Sequence, residues 1–297
     1  MPSSWSSLSE EILINVCSKL YESPWVFHAQ IFKDAEQARF EARVAACRAV
    51  CRNWAASVPH GVRTLCVNGD APPGYLLRTL SGLESFKWFN VNKWAPVTAP
   101  SVKALKLMGV MPRNVITHVV ESFLGIEFIE FLYLSRDVCL DLSPLSSLAR
   151  LRSLVISSSV ITGLESLCNV TSLAIESATG IPHLPPRLES LRLGYCAIRS
   201  MEPVGRLSLL TSLDTTCSVI KCDLDPVTTI SSLTSLNMAS CFDINIEPLA
   251  KMSSVTSLDL SYCNVYDFQP LQDLVSLKVL KIEWPGHCAD YTWTASP

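Results

Sequence analysis

Charged residues are scarce in this sequence, and several common sequence signals are missing from it. Charged side chains make up 17% of the 297 residues against 48% hydrophobic ones, so the chain can bury a large core and should not be disordered. It lacks a long polar linker that would separate two independent domains. The net charge of -3, with no run of Lys or Arg, disfavours nucleic-acid binding.

Signals for export, membrane insertion and catalysis are also lacking. The start has no basic segment ahead of an apolar one, so we expect an intracellular protein, cytoplasmic or nuclear. Glutamates interrupt the most apolar stretch, residues 115–134, so no membrane span is expected. There is no glycine-rich phosphate loop, GxSxG or HExxH motif, and the histidines lie far apart. We therefore expect neither an enzyme nor a cofactor.

The cysteines show no paired spacing. There are 12 of them, without a CxxC motif and in a chain that lacks an export signal, so most are expected to be buried thiols. Cys47 and Cys51 have helical i, i+4 spacing but no nearby His that would complete a zinc site. No metal site is predicted.

A repeat organises the chain from position 62 onward. Its unit is an apolar residue, two others, an apolar residue, one other and a third apolar residue, as in Leu188, Leu191 and Leu193. Roughly eleven copies recur at an average of about 22 residues, which indicates a repeat protein. The copies begin at Val62, Leu83, Val102, Ile129, Leu151, Val170, Leu188, Leu210, Leu233, Val255 and Leu277.

Each copy predicts one short strand whose flanking apolar residues point inward while the residue between them points outward. Stacked copies should form a parallel sheet, because a single turn cannot bury its apolar side alone. Five residues after the middle apolar residue the chain must bend, and small residues stand there: Ser159, Ala178, Cys196, Ser218, Cys241 and Cys263. We expect these cysteines to have a structural role, satisfying buried backbone groups.

Proline recurs at one place in five of the return segments, as in LSPLSSL from Leu142 and IEPLAKM from Ile246. Proline suits the first turn of a short helix, so these segments are predicted to be 3₁₀ or one-turn helices. The combination resembles the leucine-rich repeats of the internalin and phosphatase-regulator type. The resemblance implies an α/β solenoid, a horseshoe with a parallel concave sheet over residues 59–284, followed by a tail at 285–297.

Residues 1–58 break the period and indicate helices, with apolar residues at helical spacing. The segments LSEEILINVCSKL and VCRNW resemble the two ends of an F-box, separated by an insertion at about 21–43. The resemblance implies a small helical domain that docks the Skp-type adaptor of a cullin ubiquitin ligase. The residues that it assigns to adaptor binding are Leu8, Glu11, Ile12, Val16, Leu20, Val50, Cys51 and Trp54.

The function predicted from both resemblances is target recognition for such a ligase, with the concave sheet binding a target protein. The alternative is a free-standing scaffold or phosphatase-type regulator, whose helical start is only a cap on the first repeat. The positions just before the middle apolar residue are mostly serine, while those just after it vary and should carry specificity. The predicted target-binding residues are an aromatic anchor of Phe131 and Tyr133, together with Arg192, Asp214, Asn237, Asp259 and Lys281. For each of them, a solvated strand residue is the other interpretation.

Overall fold

The computed structural model describes residues 29–30, 63–68, 82–89, 99, 101–109, 115–132, 140–158, 160–242, 244–265, 267–283 and 291–294. The chain divides into two compact units, Met1–Leu134 and Ser135–Pro297, which we call unit 1 and unit 2. The predicted adaptor-binding residues, from Leu8 to Trp54, lie outside the described residues. The helical F-box-like domain therefore stays a prediction.

Parallel strands form the sheet of unit 1. In sheet order and in chain order they are β1 (Ala29–Gln30), β2 (Thr64–Asn68), β3 (Ser85–Phe89), β4 (Ala104–Met108) and β5 (Phe128–Leu132). Each of them except β1 belongs to one repeat. In β4 and β5 buried and half-buried side chains alternate, as expected of a sheet with one face on the core. Strand β1 falls within the predicted insertion at 21–43, where the sequence analysis expected no strand.

Aromatic side chains fill the core of unit 1. Phe86 and Trp88 of β3 are fully buried, with ring centroids 5.7 Å apart, and the ring of Phe123 lies 6.0 Å from that of Phe86. Phe123 follows a helix, α1 (Val115–Ser122), which buries Val115, Ile116 and Val119. This helix and β5 both lie within the apolar stretch, residues 115–134, that the sequence analysis excluded as a membrane span. In the part of the chain that the structure describes, no helix is both long and apolar enough to cross a bilayer.

The register of β5 corrects one prediction. Ile129 pairs with Leu105 and Phe131 with Leu107, so this repeat begins at Ile126, three residues earlier than predicted. Phe131 has no exposed surface, because it occupies the last inward position of the strand. The prediction that Phe131 lies on the target-binding face is therefore wrong. Its predicted partner Tyr133 lies outside the described residues.

Unit 2 carries a longer ladder of parallel strands. In sheet order these are β7 (Ser153–Ser157), β9 (Ser172–Glu176), β10 (Ser190–Gly194), β12 (Ser212–Asp214), β14 (Ser235–Asn237), β15 (Ser257–Asp259) and β16 (Val279–Ile282). An antiparallel strand, β17 (Tyr291–Thr294), pairs with β16. Two further pairs of two-residue strands follow the bends: β6 (Leu140–Asp141) with β8 (Ile161–Thr162), and β11 (Ala197–Ile198) with β13 (Val219–Ile220). The predicted leucine-rich-repeat architecture, with one parallel strand for each repeat, is confirmed for the described residues.

The return segments of unit 2 are short helices, as predicted. Those with proline in the first two positions are the 3₁₀ helices Ser143–Ser147, Glu247–Lys251 and Gln269–Asp273 and the α-helices α2 (Glu202–Gly205) and α3 (Asp225–Thr228). A side chain two residues before each of these helices accepts the backbone N–H of the first helical residue: Asp141, Ser200, Asp223, Asn245 and Asp267. These caps satisfy donors that the helices leave unpaired.

One glycine of unit 2 is required by close packing between successive turns. A Cβ atom on Gly205 would lie 2.6 Å from the carbonyl oxygen of Pro226 in the next turn. Any larger residue would therefore push α2 and α3 apart.

Candidate binding faces

Each sheet has one face buried and one open, and the open faces are the candidate binding surfaces. In unit 2 the open-face residues stand in columns, because the strands pair in parallel register. Residues before the middle apolar residue form a half-buried column that ends at Val279: Ser153, Ser172, Ser190, Ser212, Ser235, Ser257 and Val279. This confirms the predicted serine column in unit 2.

Varied residues form the neighbouring column of unit 2. It contains Val155, Ala174, Arg192, Asp214, Asn237, Asp259 and Lys281, which the register places side by side on successive strands. The predicted target-binding residues of unit 2 therefore share one surface.

The carboxylates and the amide of this column already have structural partners. The Oδ1 atoms of Asp214, Asn237 and Asp259 accept the backbone N–H two residues onward, at 2.8 to 3.0 Å. Such Asx turns stabilise the chain where the strand ends and the bend begins. The sequence analysis missed this role, although Asp or Asn at the end of each of these strands was a visible signal for it.

The two cationic residues of the column, Arg192 and Lys281, are more accessible to a partner than its carboxylates and its amide. Lys281 is exposed, and the Arg192 side chain, 46% exposed, lies with Nη1 3.7 Å from Oδ2 of Asp214. An exposed pair at this distance contributes at most about 1 kcal/mol. Arg192 can therefore leave Asp214 for a partner at little cost.

The small residues of the bend form a buried ladder of hydrogen bonds. Ser218 Oγ donates to the carbonyl of Leu193 at 2.6 Å and accepts the N–H of Cys196 at 2.9 Å, joining adjacent turns. The thiols of Cys241 and Cys263 donate to the carbonyls of Thr215 and Met238 in the preceding turns, both at 3.0 Å. The structural role predicted for these cysteines is confirmed.

The ladder thiols are held in their neutral form. Burial raises the pKa of Cys196 and Cys241, and it raises the pKa of Cys263 to about 12. Thiols with raised pKa values are poor nucleophiles and poor metal ligands near neutral pH. Among the described residues, no group of three or more His, Cys, Asp or Glu side chains is placed to hold a metal ion.

A row of exposed apolar side chains borders the C-terminal ends of the unit 2 strands, and the sequence analysis did not find it. Tyr195 is 63% exposed and Phe242 56%, while Tyr262 donates a hydrogen bond to Glu283 at 2.7 Å. Both tyrosines have left-handed backbone, with φ of 55° and 60°, which is uncommon for bulky residues. The other turns place Ser177, Cys217 and Ser240 at the same left-handed position, so the bend itself does not require an aromatic side chain.

Comparisons with known proteins return structures but no sequence relatives. No family model matches the chain, and no curated protein matches it. An internalin from Listeria monocytogenes is similar in structure over 77% of this chain and 63% of its own, with 16% identity and a TM-score of 0.45. An internalin C2 from the same organism covers 77% of this chain and 83% of its own, with 18% identity and a TM-score of 0.36. The chain thus spans less than two thirds of the first of these structures.

Proposed function

We propose that the chain is a protein-binding module that recognises its partner through the open face of unit 2. The observation that supports this is the pair of columns on that face. The short side chains of the serine column leave the sheet surface flat. In the column beside it, the side chains change in size and charge from strand to strand. Such a surface suits a protein partner better than a small molecule, because it is extended, whereas small-molecule sites are enclosed and largely apolar. Arg192 and Lys281 are the side chains most available to it.

Paired substitutions of equal charge test this surface. We expect proteins that copurify with the intact chain to be lost when Arg192→Ala and Lys281→Ala are combined. The matched control combines Arg206→Ala and Lys221→Ala, which remove two exposed cations outside the column. If both double variants keep, or both lose, the same proteins, the open face of unit 2 is not the binding surface.

The finer proposal is that the protein recognises targets for a cullin-type ubiquitin ligase. It rests on the resemblance of residues 8–20 and 50–54 to an F-box, which would tether the chain to a Skp-type adaptor. Catalysis would belong to the partner enzymes, and this chain would supply proximity. A free-standing scaffold with a helical cap is the competing function.

A pull-down with the recombinant adaptor separates the two. The intact chain is compared with a variant that carries Leu8→Asp and Ile12→Asp, after circular dichroism has established that both are folded. Binding by the intact chain alone supports the ligase function. No binding by the intact chain contradicts it and favours the scaffold.

A further inference from the structure

The open face of unit 1 differs from a solvated sheet surface because large apolar residues occupy it. The outward positions of β4 and β5 carry Ala104, Met108, Phe128 and Leu132, all half-buried. An antiparallel or open sheet with one solvated face ordinarily carries polar residues at such positions. Two aliphatic side chains and an aromatic ring on adjacent strands form an apolar surface of the kind that marks interaction sites.

Two lysines stand side by side on this apolar face. Lys87 of β3 pairs in register with Lys106 of β4, and both side chains are half-buried. Like charges directly opposite each other on neighbouring strands are destabilising. On its other side Lys87 pairs in register with Cys66 of β2.

One carboxylate compensates one of these lysines. Lys106 Nζ lies 3.0 Å from Oε1 of Glu130, the outward residue next to it on β5. Among the described residues, no carboxylate lies within ion-pair distance of Lys87. Among its described residues, the face therefore holds two cations, Lys87 and Lys106, and one anion, Glu130, beside its apolar side chains.

We propose that the open face of unit 1 binds an acidic, apolar segment of a partner protein. A carboxylate of that segment lies at Lys87, and its large apolar side chains pack on Phe128 and Met108. A partner carboxylate at Lys87 offsets the repulsion between Lys87 and Lys106, so the charges on this face favour binding. A basic segment would bring a third cation to a half-buried site, which is why the charges select an acidic one.

This inference rests on the proposed function, since both describe protein recognition by the repeats, but it concerns a separate surface. The test is a selection of random-sequence peptides, displayed on phage, against the full chain. The selected peptides are then synthesised and titrated against the Lys87→Glu variant. This variant should stay folded, because it replaces the Lys87 and Lys106 pair by an attractive one. Lys103→Glu is the matched control, with the same change of charge at an exposed position off the apolar face.

We expect the selected peptides to carry Asp or Glu beside Leu, Phe or Trp. Their affinity should fall at least about tenfold with Lys87→Glu, fall similarly with Phe128→Ala, and stay unchanged with Lys103→Glu. The inference is overturned if no peptide is enriched, if the enriched peptides are basic, or if Lys87→Glu leaves their affinity unchanged. Peptides that respond only to the Arg192→Ala and Lys281→Ala double variant would overturn it while supporting the proposed function. Peptides that respond to Lys87→Glu support it even where the unit 2 face captures no protein.

Discussion

The two units are built from the same kind of repeat, but their open faces carry different side chains. Unit 1 packs Phe86, Trp88 and Phe131 inside and leaves an apolar face on which Lys87 has no carboxylate partner among the described residues. Unit 2 has an aliphatic core and an open face of serines and charged residues, several of which are engaged in turns. The inward positions of a repeat must be apolar, whereas its outward positions are free to vary. The fold is therefore shared while the faces suit different partners.

The largest expected effect tests which aromatic residue of β5 faces inward. Phe131→Ala should destabilise the protein by about 3 to 5 kcal/mol, because it empties a fully buried site. Phe128→Ala, on the open face of the same strand, should cost about 1 kcal/mol or less. Denaturant unfolding of the intact chain measures both. Equal losses would contradict the register of β5 and with it the apolar face of unit 1.

A second comparison sets the buried ladder of unit 2 against its open serine column. Ser218→Ala should cost about 1 to 3 kcal/mol, because the Cys196 N–H loses its acceptor and stays buried. Ser212 belongs to the open serine column on β12, and Ser212→Ala should change the free energy of unfolding by less than about 0.5 kcal/mol. The same unfolding experiment applies, and a costly Ser212→Ala would mean that the open column is also structural.

A third comparison tests whether Asp259 stabilises unit 2 through its hydrogen bond in the Asx turn or through its charge. Asp259→Ala should cost about 1 kcal/mol through the lost Asx turn, whereas Asp259→Asn keeps the accepting oxygen and should be close to neutral. Thermal unfolding at two salt concentrations distinguishes the causes. If Asp259→Asn is as damaging as Asp259→Ala, the charge of Asp259 and not its turn is what stabilises the strand end.

The smallest effect near neutral pH is expected for Cys263→Ser. Serine can donate the same hydrogen bond to Met238, as Ser218 does in its own turn, but it does not titrate. In the parent protein the pKa of Cys263 is raised from 9.0 to about 12, so the folded state holds its proton longer than the unfolded state. This thiol's contribution to stability is complete below its unfolded pKa and is lost as the pH rises from about 9 towards 12.

Unfolding midpoints measured between neutral and alkaline pH provide the test. The parent protein should lose stability more steeply than Cys263→Ser in that window. Parallel pH profiles would show that Cys263 is not buried as a neutral thiol.

Much of the repeat could be predicted because apolar spacing and proline position are local. Leu191 and Leu193, for example, share a strand with a single inward face, and Pro203 sits where a short helix begins. The residue at which the repeat begins within 126–134 could not be predicted. The sequence IEFIEFLYL satisfies the apolar spacing from Ile126 and also from Ile129, so only packing against β4 distinguishes them. That error placed Phe131 on the open face, whereas the structure buries it in the core.

For the polar residues of the candidate site, too, part of the structure could be predicted from the sequence and part could not. The repeat predicted that Arg192, Asp214 and Lys281 lie in one column on the open face. It did not predict which of these side chains are accessible to a partner. A side chain such as Asp214 can accept a neighbouring backbone N–H or face solvent, and its position in the sequence is the same in either case. The pairing of Lys87 with Lys106 likewise needs two residues from different repeats to be placed in register.

By itself the sequence determined that the chain is built from repeats with one strand in each turn, which residues of most turns face inward, and where the return helices begin. These features follow from a period that each turn carries in its own residues. The tertiary structure alone decided the register of β5, the bonds of the thiol ladder and the charge balance of each open face. The reason is physical: these properties belong to pairs of residues about 20 positions apart, and stacking of the turns brings them into contact.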